Sequence, residues 1–193
     1  YVAAKEAGIK PIIGCEVYVA ETDYHSRESA HKTPHHLTLL ARNEKGYHNL
    51  LQLVTKSHLE GFYYKPRVDK ELLKLHHDGL IALSGCAHGE LARLILEGRK
   101  DELAGTASWY KEVFGDFFIE IQEHNIPDAA KLQKKLVRLA NELGFPLVAT
   151  NDVHFVRRED AAVHERQGCL WYLDHAAGRG DLHLTDVTNE MRK

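Results

Sequence analysis

The chain has 193 residues, 44% hydrophobic and 27% charged, which suits one globular domain with a buried core and excludes a disordered tract. Its formal charge of −3 excludes a uniformly basic, nucleic-acid-seeking surface, so any DNA contact has to come from a local patch or from bound metal. No run approaches the roughly 18 to 20 apolar residues of a membrane span and Tyr1–Glu6 lacks a signal-peptide pattern, so the expectation is a cytoplasmic protein with no membrane partner.

Taken in chain order, Tyr1 to Ile9 has helical composition, with Gly8 as a stop signal, yet neither an initiator Met nor an N-cap residue precedes it. We therefore expect lost residues upstream of Tyr1. Short runs rich in Val, Ile and Leu predict strands at Pro11–Val19, His36–Ala41, Leu80–Ser84, Phe117–Gln122 and Leu147–Thr150. Between them, helices are predicted at Asn43–Leu59, Asp69–His76, Gly89–Leu96, Lys100–Val113 and Ala129–Leu143. In the last of these Leu132, Leu136, Leu139 and Leu143 share one face, Gly144 supplies the stop, and Pro146 prevents continuation. The alternation is that of an α/β domain with helices around a largely parallel sheet. Thr22–Thr33 reads as a polar loop. From Ala161 onward the signals weaken, so residues 1–193 are read as one domain whose segment 161–193 is a tail without assignment.

The chain holds 14 histidines, an excess of the commonest metal ligand. Its cysteines, Cys15, Cys86 and Cys169, are far apart and form no CxxC, which suggests neither a disulfide framework nor a zinc ribbon. The informative pattern is that metal-ligating residue types close or follow the predicted strands: Glu16, Cys86, His124, and the pair Asp152 and His154. In a parallel α/β barrel such strand ends converge on one face. In an extended segment Asp152 and His154 would project to the same side, although a capping aspartate beside a surface histidine has the same spacing. Glu16, at the end of an apolar run, must be solvated, paired or metal-bound. Cys86 is either a small buried residue or a thiolate ligand that favours a zinc-like ion. His35 and His36 point to opposite faces of their strand, so at most one enters a site, while His25, His58, His76, His77 and His164 read as surface histidines.

Four blocks carry a resemblance. Ala4-Lys5-Glu6-Ala7-Gly8-Ile9-Lys10-Pro11-Ile12-Ile13-Gly14-Cys15-Glu16-Val17-Tyr18-Val19, Glu60-Gly61-Phe62-Tyr63-Tyr64-Lys65-Pro66-Arg67, Ile81-Ala82-Leu83-Ser84-Gly85-Cys86 and Val148-Ala149-Thr150-Asn151-Asp152-Val153-His154-Phe155 resemble, in family order, the PHP (polymerase and histidinol phosphatase) domain of bacterial DNA polymerase III α subunits. The resemblance implies a distorted seven-stranded β/α barrel with a cluster of up to three divalent ions, zinc or manganese. It marks Glu16 as a bridging carboxylate, His36, Cys86, Asp152 and His154 as further ligands, and His124 as a histidine near the site that contacts substrate. Arg67 is the candidate phosphate contact, since a guanidinium suits bidentate phosphate binding, although Lys65 and Arg67 read equally well as a solvated basic pair.

The same resemblance implies DNA and the other subunits of a replicative polymerase as partners, and metal-dependent 3′–5′ exonuclease activity, with Asp152, His154 and Glu16 acting through the metal. A non-catalytic interaction module of the polymerase and a stand-alone phosphoesterase of the histidinol-phosphate kind are the alternatives. The family's opening His-x-His and Thr-Asp-His-Gly-like motifs would lie before Tyr1. The first strands of the barrel are therefore expected to be missing, and this chain alone is expected to bind metal weakly and to show negligible nuclease activity. His35 and Ala87-His88 depart from the family pattern.

Overall fold

The computed structural model describes residues 1–27, 34–122, 127–154, 156–160 and 163. The chain divides into two compact units, Tyr1–Asn151 and Asp152–Lys193. In the first unit the elements run α1 (Val2–Glu6), β1 (Gly14–Val19), β2 (His35–Ala41), α2 (Glu44–Leu59), β3 (Phe62–Tyr63), β4 (Lys65–Val68), α3 (Lys70–Leu75), β5 (Leu80–Leu83), α4 (Glu90–Glu97), α5 (Lys100–Phe114), β6 (Phe117–Gln122), α6 (Pro127–Leu143) and β7 (Leu147–Thr150). The described part of the second unit holds a short 3-10 turn, Arg158–Asp160.

The helices begin where the sequence supplies caps. Asn43 accepts from the Gly46 amide at 2.9 Å to start α2, and Asp69 accepts from the Leu72 amide at 2.8 Å to start α3. Gly98, in the left-handed conformation, closes α4. All five predicted strands and all five predicted helices form; β6 and β7 match at both ends, and no end elsewhere shifts by more than three residues.

Two features differ from the expectation. First, the sheet is mixed rather than largely parallel. Its strand order is β3-β4-β1-β2-β5-β6-β7, and β2 runs antiparallel to both β1 and β5. Among the described residues the sheet is open, with β3 and β7 at its ends. Second, the β3–β4 hairpin was not predicted. Pro66 interrupts the strand pattern there, and the reversal is made at Tyr64, a non-glycine residue with φ +59°.

Register divides the sheet into two faces. Val17 pairs with Leu37, Leu39 with Ala82, and Ala82 with Phe117, so Val17, Val19, Leu37, Leu39, Ala82, Phe117 and Ile119 form one continuous apolar face. Leu53 of α2, Leu73 of α3, Leu91 of α4, Tyr110 of α5 and Leu132 and Leu136 of α6 complete that core. Tyr110 stacks on Phe117 with ring centroids 5.1 Å apart. Each such buried side chain is worth about 1.5–3 kcal/mol. Of the leucines predicted on the α6 face, Leu132, Leu136 and Leu139 are buried, whereas Leu143 in the last turn is 38% exposed. The other face of the sheet carries the polar residues.

Candidate metal centre

The polar face is built from alternation. Glu16 and Tyr18 on β1 stand opposite Thr38 and His36 on β2, so all four side chains share the side away from the core. Because β2 is antiparallel, its first residues lie beside the outgoing end of β5 and the Gly85–Gly89 loop, and His36 bridges to Gly89. The His36 amide donates to the His88 carbonyl at 3.1 Å, and the Gly89 amide donates to the Cys86 carbonyl at 2.9 Å. Two glycines permit this close approach. Gly85 has φ +79°, and a Cβ on it would lie 2.6 Å from the His36 carbonyl oxygen; one on Gly89 would lie 2.1 Å from that of Ser84.

The result is a convergence of three predicted ligands. His36 Nδ1 lies 3.0 Å from a Glu16 carboxylate oxygen and 3.5 Å from Cys86 Sγ. The Cys86 sulfur first, and the Glu16 carboxylate second, hold the His36 imidazole up to about 9 against the opposing effect of burial. A cation entering here would displace that proton. Cys86 Sγ is also 3.7 Å from Nδ1 of His88. The ligand atoms of His36, Cys86 and His88 all fall within 4.8 Å of one another. His88 was not singled out by the sequence pattern. A histidine two residues after a candidate cysteine ligand was the available signal.

The neighbouring histidine behaves differently. His35 is 7% exposed on the core side, its Nε2 is 3.6 Å from Glu21, and its Nδ1 has no hydrogen-bond partner. Burial lowers its pKa. Cys15 also faces the core side, and burial raises its thiol pKa, which favours the inert thiol.

Glu120 is the second residue that sequence reasoning passed over. This β6 carboxylate is 4% exposed and accepts four neutral hydrogen bonds. Oε2 accepts from the Gly85 amide at 3.1 Å and from Thr38 Oγ1 at 3.4 Å; Oε1 accepts from Thr150 Oγ1 at 2.5 Å and from Gln122 Nε2 at 3.1 Å. Its own amide donates to Ser84 Oγ at 2.9 Å. Glu120 thereby ties β2, the Gly85–Cys86 loop and the end of β7 to one buried anion. The signal was present, because a carboxylate inside Phe-Phe-Ile-Glu-Ile invites the question asked of Glu16.

Arg67 occupies a structural post instead of the exposed one that a phosphate contact needs. It is fully buried, and its guanidinium donates to the carbonyls of Gly61 at 3.2 Å, Tyr24 at 2.9 Å and Ser26 at 2.6 Å. Carbonyls left over by the loop before β2 and the turn before β3 recruit the five donors of the fork. Lys65, its partner in the basic pair, is half-buried and donates to Tyr18 Oη at 3.4 Å. The Tyr18 ring in turn packs edge-on against His36 at 5.0 Å.

Asp152 and His154 belong to the second unit. The reason given for their pairing needs correction, since Asp152 has φ +48° and the segment is not extended there. Aspartate tolerates this conformation better than most residues. His154 Nδ1 lies 2.8 Å from the Asp152 carbonyl oxygen. His124 lies outside the described residues. So does His164; among the other histidines read as surface residues, His25 and His58 are exposed and His76 and His77 are half-buried.

Comparison with known proteins bears on this site. The PHP domain profile matches residues 1–124, which include Glu16, His36, Cys86 and Glu120. The chain belongs to the PHP domain family. This PHP domain is similar to the DNA polymerase III subunit alpha of Borreliella burgdorferi, 47% identical over 173 residues, which are 88% of this chain and 15% of that protein. It is likewise 47% identical over 163 residues to the same subunit of Deinococcus radiodurans, covering 81% of the chain and 12% of the relative. With that of Helicobacter pylori it shares 39% identity over 181 residues, 88% and 15% of the two chains. The PHP domain thus spans only 12–15% of the length of these relatives. No helix among the described residues is long and apolar enough to cross a membrane.

Proposed function

We propose that this PHP domain is part of a bacterial replicative DNA polymerase and hydrolyses phosphodiester bonds there, as a metal-dependent 3′–5′ exonuclease. The observation that carries this reading is the convergence of a carboxylate, an imidazole and a thiol, from Glu16, His36 and Cys86, on one face of the sheet. These donor types suit divalent transition ions of the zinc or manganese class, with Asp152 and His154 as the further ligands. When bound, such ions supply Lewis-acid polarisation of the phosphoryl group and activation of water.

The chain's own residues do the rest. Glu16 brings negative charge that offsets a cation, and its oxygen, 3.0 Å from His36 Nδ1, would share one ion with that nitrogen once the proton is displaced. Glu120 holds the Gly85–Cys86 loop against β2, so the thiol cannot drift from the imidazole. Lys65, beside Tyr18, and His124 are the groups proposed to meet the substrate, DNA. The other polymerase subunits are the proposed protein partners, and the cytoplasm the proposed location.

The test is Asp152→Asn in the full-length polymerase. The amide keeps the shape and removes the charge that holds a cation. We expect trimming of a labelled primer end to fall by more than about 100-fold, the scale of a lost catalytic ligand, while nucleotide incorporation is retained. Unchanged trimming by the purified variant would remove the hydrolytic reading and favour a non-catalytic interaction module.

A further inference from the structure

We infer that His88 is a third protein ligand beside His36 and Cys86, so that this corner of the PHP domain is a nitrogen–sulfur centre for one zinc-class ion. This rests on the proposed metal centre but not on its hydrolytic activity.

The distances carry the inference. A sulfur at about 2.3 Å and a nitrogen at about 2.0–2.1 Å from one tetrahedral zinc lie roughly 3.6 Å apart. The separations from Cys86 Sγ to His36 Nδ1 and His88 Nδ1 are 3.5 Å and 3.7 Å. Both rings present the same kind of atom to one sulfur, and their centroids are 5.2 Å apart at 31°. Sulfur donates and accepts only weakly, so hydrogen bonds to the two rings do not require these separations, whereas one shared tetrahedral cation requires both to be roughly 3.6 Å.

The backbone is arranged for the same end. The His88 carbonyl accepts from the His36 amide, and the Cys86 carbonyl accepts from the Gly89 amide, which pins the two loop donors to the strand that supplies the third. Little side-chain or loop ordering remains to oppose binding. The donor set also selects. Thiolate and imidazole favour zinc-class ions, whereas magnesium demands oxygen ligands in octahedral array. Three nitrogen and sulfur donors leave a fourth position, and the Glu16 carboxylate oxygen, 3.0 Å from His36 Nδ1, stands beside it. The centre needs neither Asp152 nor His154. This chain is therefore expected to hold one ion firmly, in contrast to the weak binding its sequence led us to expect.

Cobalt(II) titration of the full chain tests this, read by the sulfur-to-cobalt charge-transfer absorption and by competition with zinc and magnesium. Alongside the native chain we would titrate His88→Ala, Cys86→Ser and, as a control on the far-exposed helix α2, His48→Ala. The native chain and the His48 variant should bind one equivalent with the charge-transfer band, which zinc abolishes and magnesium does not. Cys86→Ser should lose the band. His88→Ala should keep it but weaken binding by at least the roughly 10-fold that even an outer ligand contact is worth. Circular dichroism should show both site variants folded, since His88 is exposed and Cys86 half-exposed.

A His88→Ala chain that binds cobalt as tightly as the native one would overturn the inference, as would native binding without the sulfur band. Failure of the native chain to take up cobalt would remove this inference and the proposed metal centre together. A normal titration alongside an Asp152→Asn polymerase that still trims DNA would keep the inference and sink only the hydrolytic reading.

Discussion

The two faces of the β1–β2 ribbon are made by the same residues' neighbours, yet they do opposite work. Val17, Val19, Leu37 and Leu39 bury against helices, while one position away Glu16, Tyr18, His36 and Thr38 form the polar face. His35 and His36 condense the contrast into adjacent residues. The first is sealed on the core side with an unpartnered Nδ1; the second meets a carboxylate and a thiol. A strand's period of two separates stability from chemistry, so substitutions on one face should leave the other nearly untouched.

The largest expected effect comes from the core face. Leu39 has no exposed surface, and Leu39→Ala should cost about 2–5 kcal/mol of unfolding free energy in a urea melt. Cobalt stoichiometry at temperatures where the chain remains folded should not change. Loss of the metal site without global destabilisation would contradict the division of faces.

Glu120→Ala should cost less, about 2–3 kcal/mol, because it strands the Gly85 amide and the Thr38 and Thr150 hydroxyls without an acceptor. Unlike Leu39→Ala, it should also weaken cobalt binding, since the Gly85–Cys86 loop loses its tether. An unchanged binding midpoint would show that the loop holds itself in place.

The smallest effect is the most discriminating. His35→Leu removes a buried imidazole whose Nδ1 has no partner, and should stabilise the fold by up to about 1 kcal/mol while leaving cobalt binding alone. Loss of cobalt binding in this variant would place His35 in the site and erase the distinction between the neighbours.

Much of this was legible beforehand because local chemistry decided it. Asn43 and Asp69 announce their helices by capping them, and the leucine spacing of α6 describes a stripe that is buried at Leu132, Leu136 and Leu139, though not at Leu143. Glu16 and Cys86 could be named as candidates from residue type and strand position, whereas the choice of His36 over His35 came from the family resemblance. The Phe62–Val68 hairpin escaped because Pro66 breaks the local pattern and pairing with β1 decides the outcome. Arg67 misled because a guanidinium in sequence looks the same whether it faces a phosphate or three backbone carbonyls.

The sequence by itself determined the elements, the alternation of β1 and β2, and the supply of ligating side chains, since propensity, capping and periodicity act within a few residues. Tertiary structure alone decided which of these side chains meet. The antiparallel course of β2 brings His36, near its start, toward the end of β5, and two glycines let the Gly85–Gly89 loop close on it. That meeting brings His36 to Cys86 and buries Glu120 beneath the loop. Contacts between residues 35 to 50 positions apart depend on strand order and direction, which no local signal encodes.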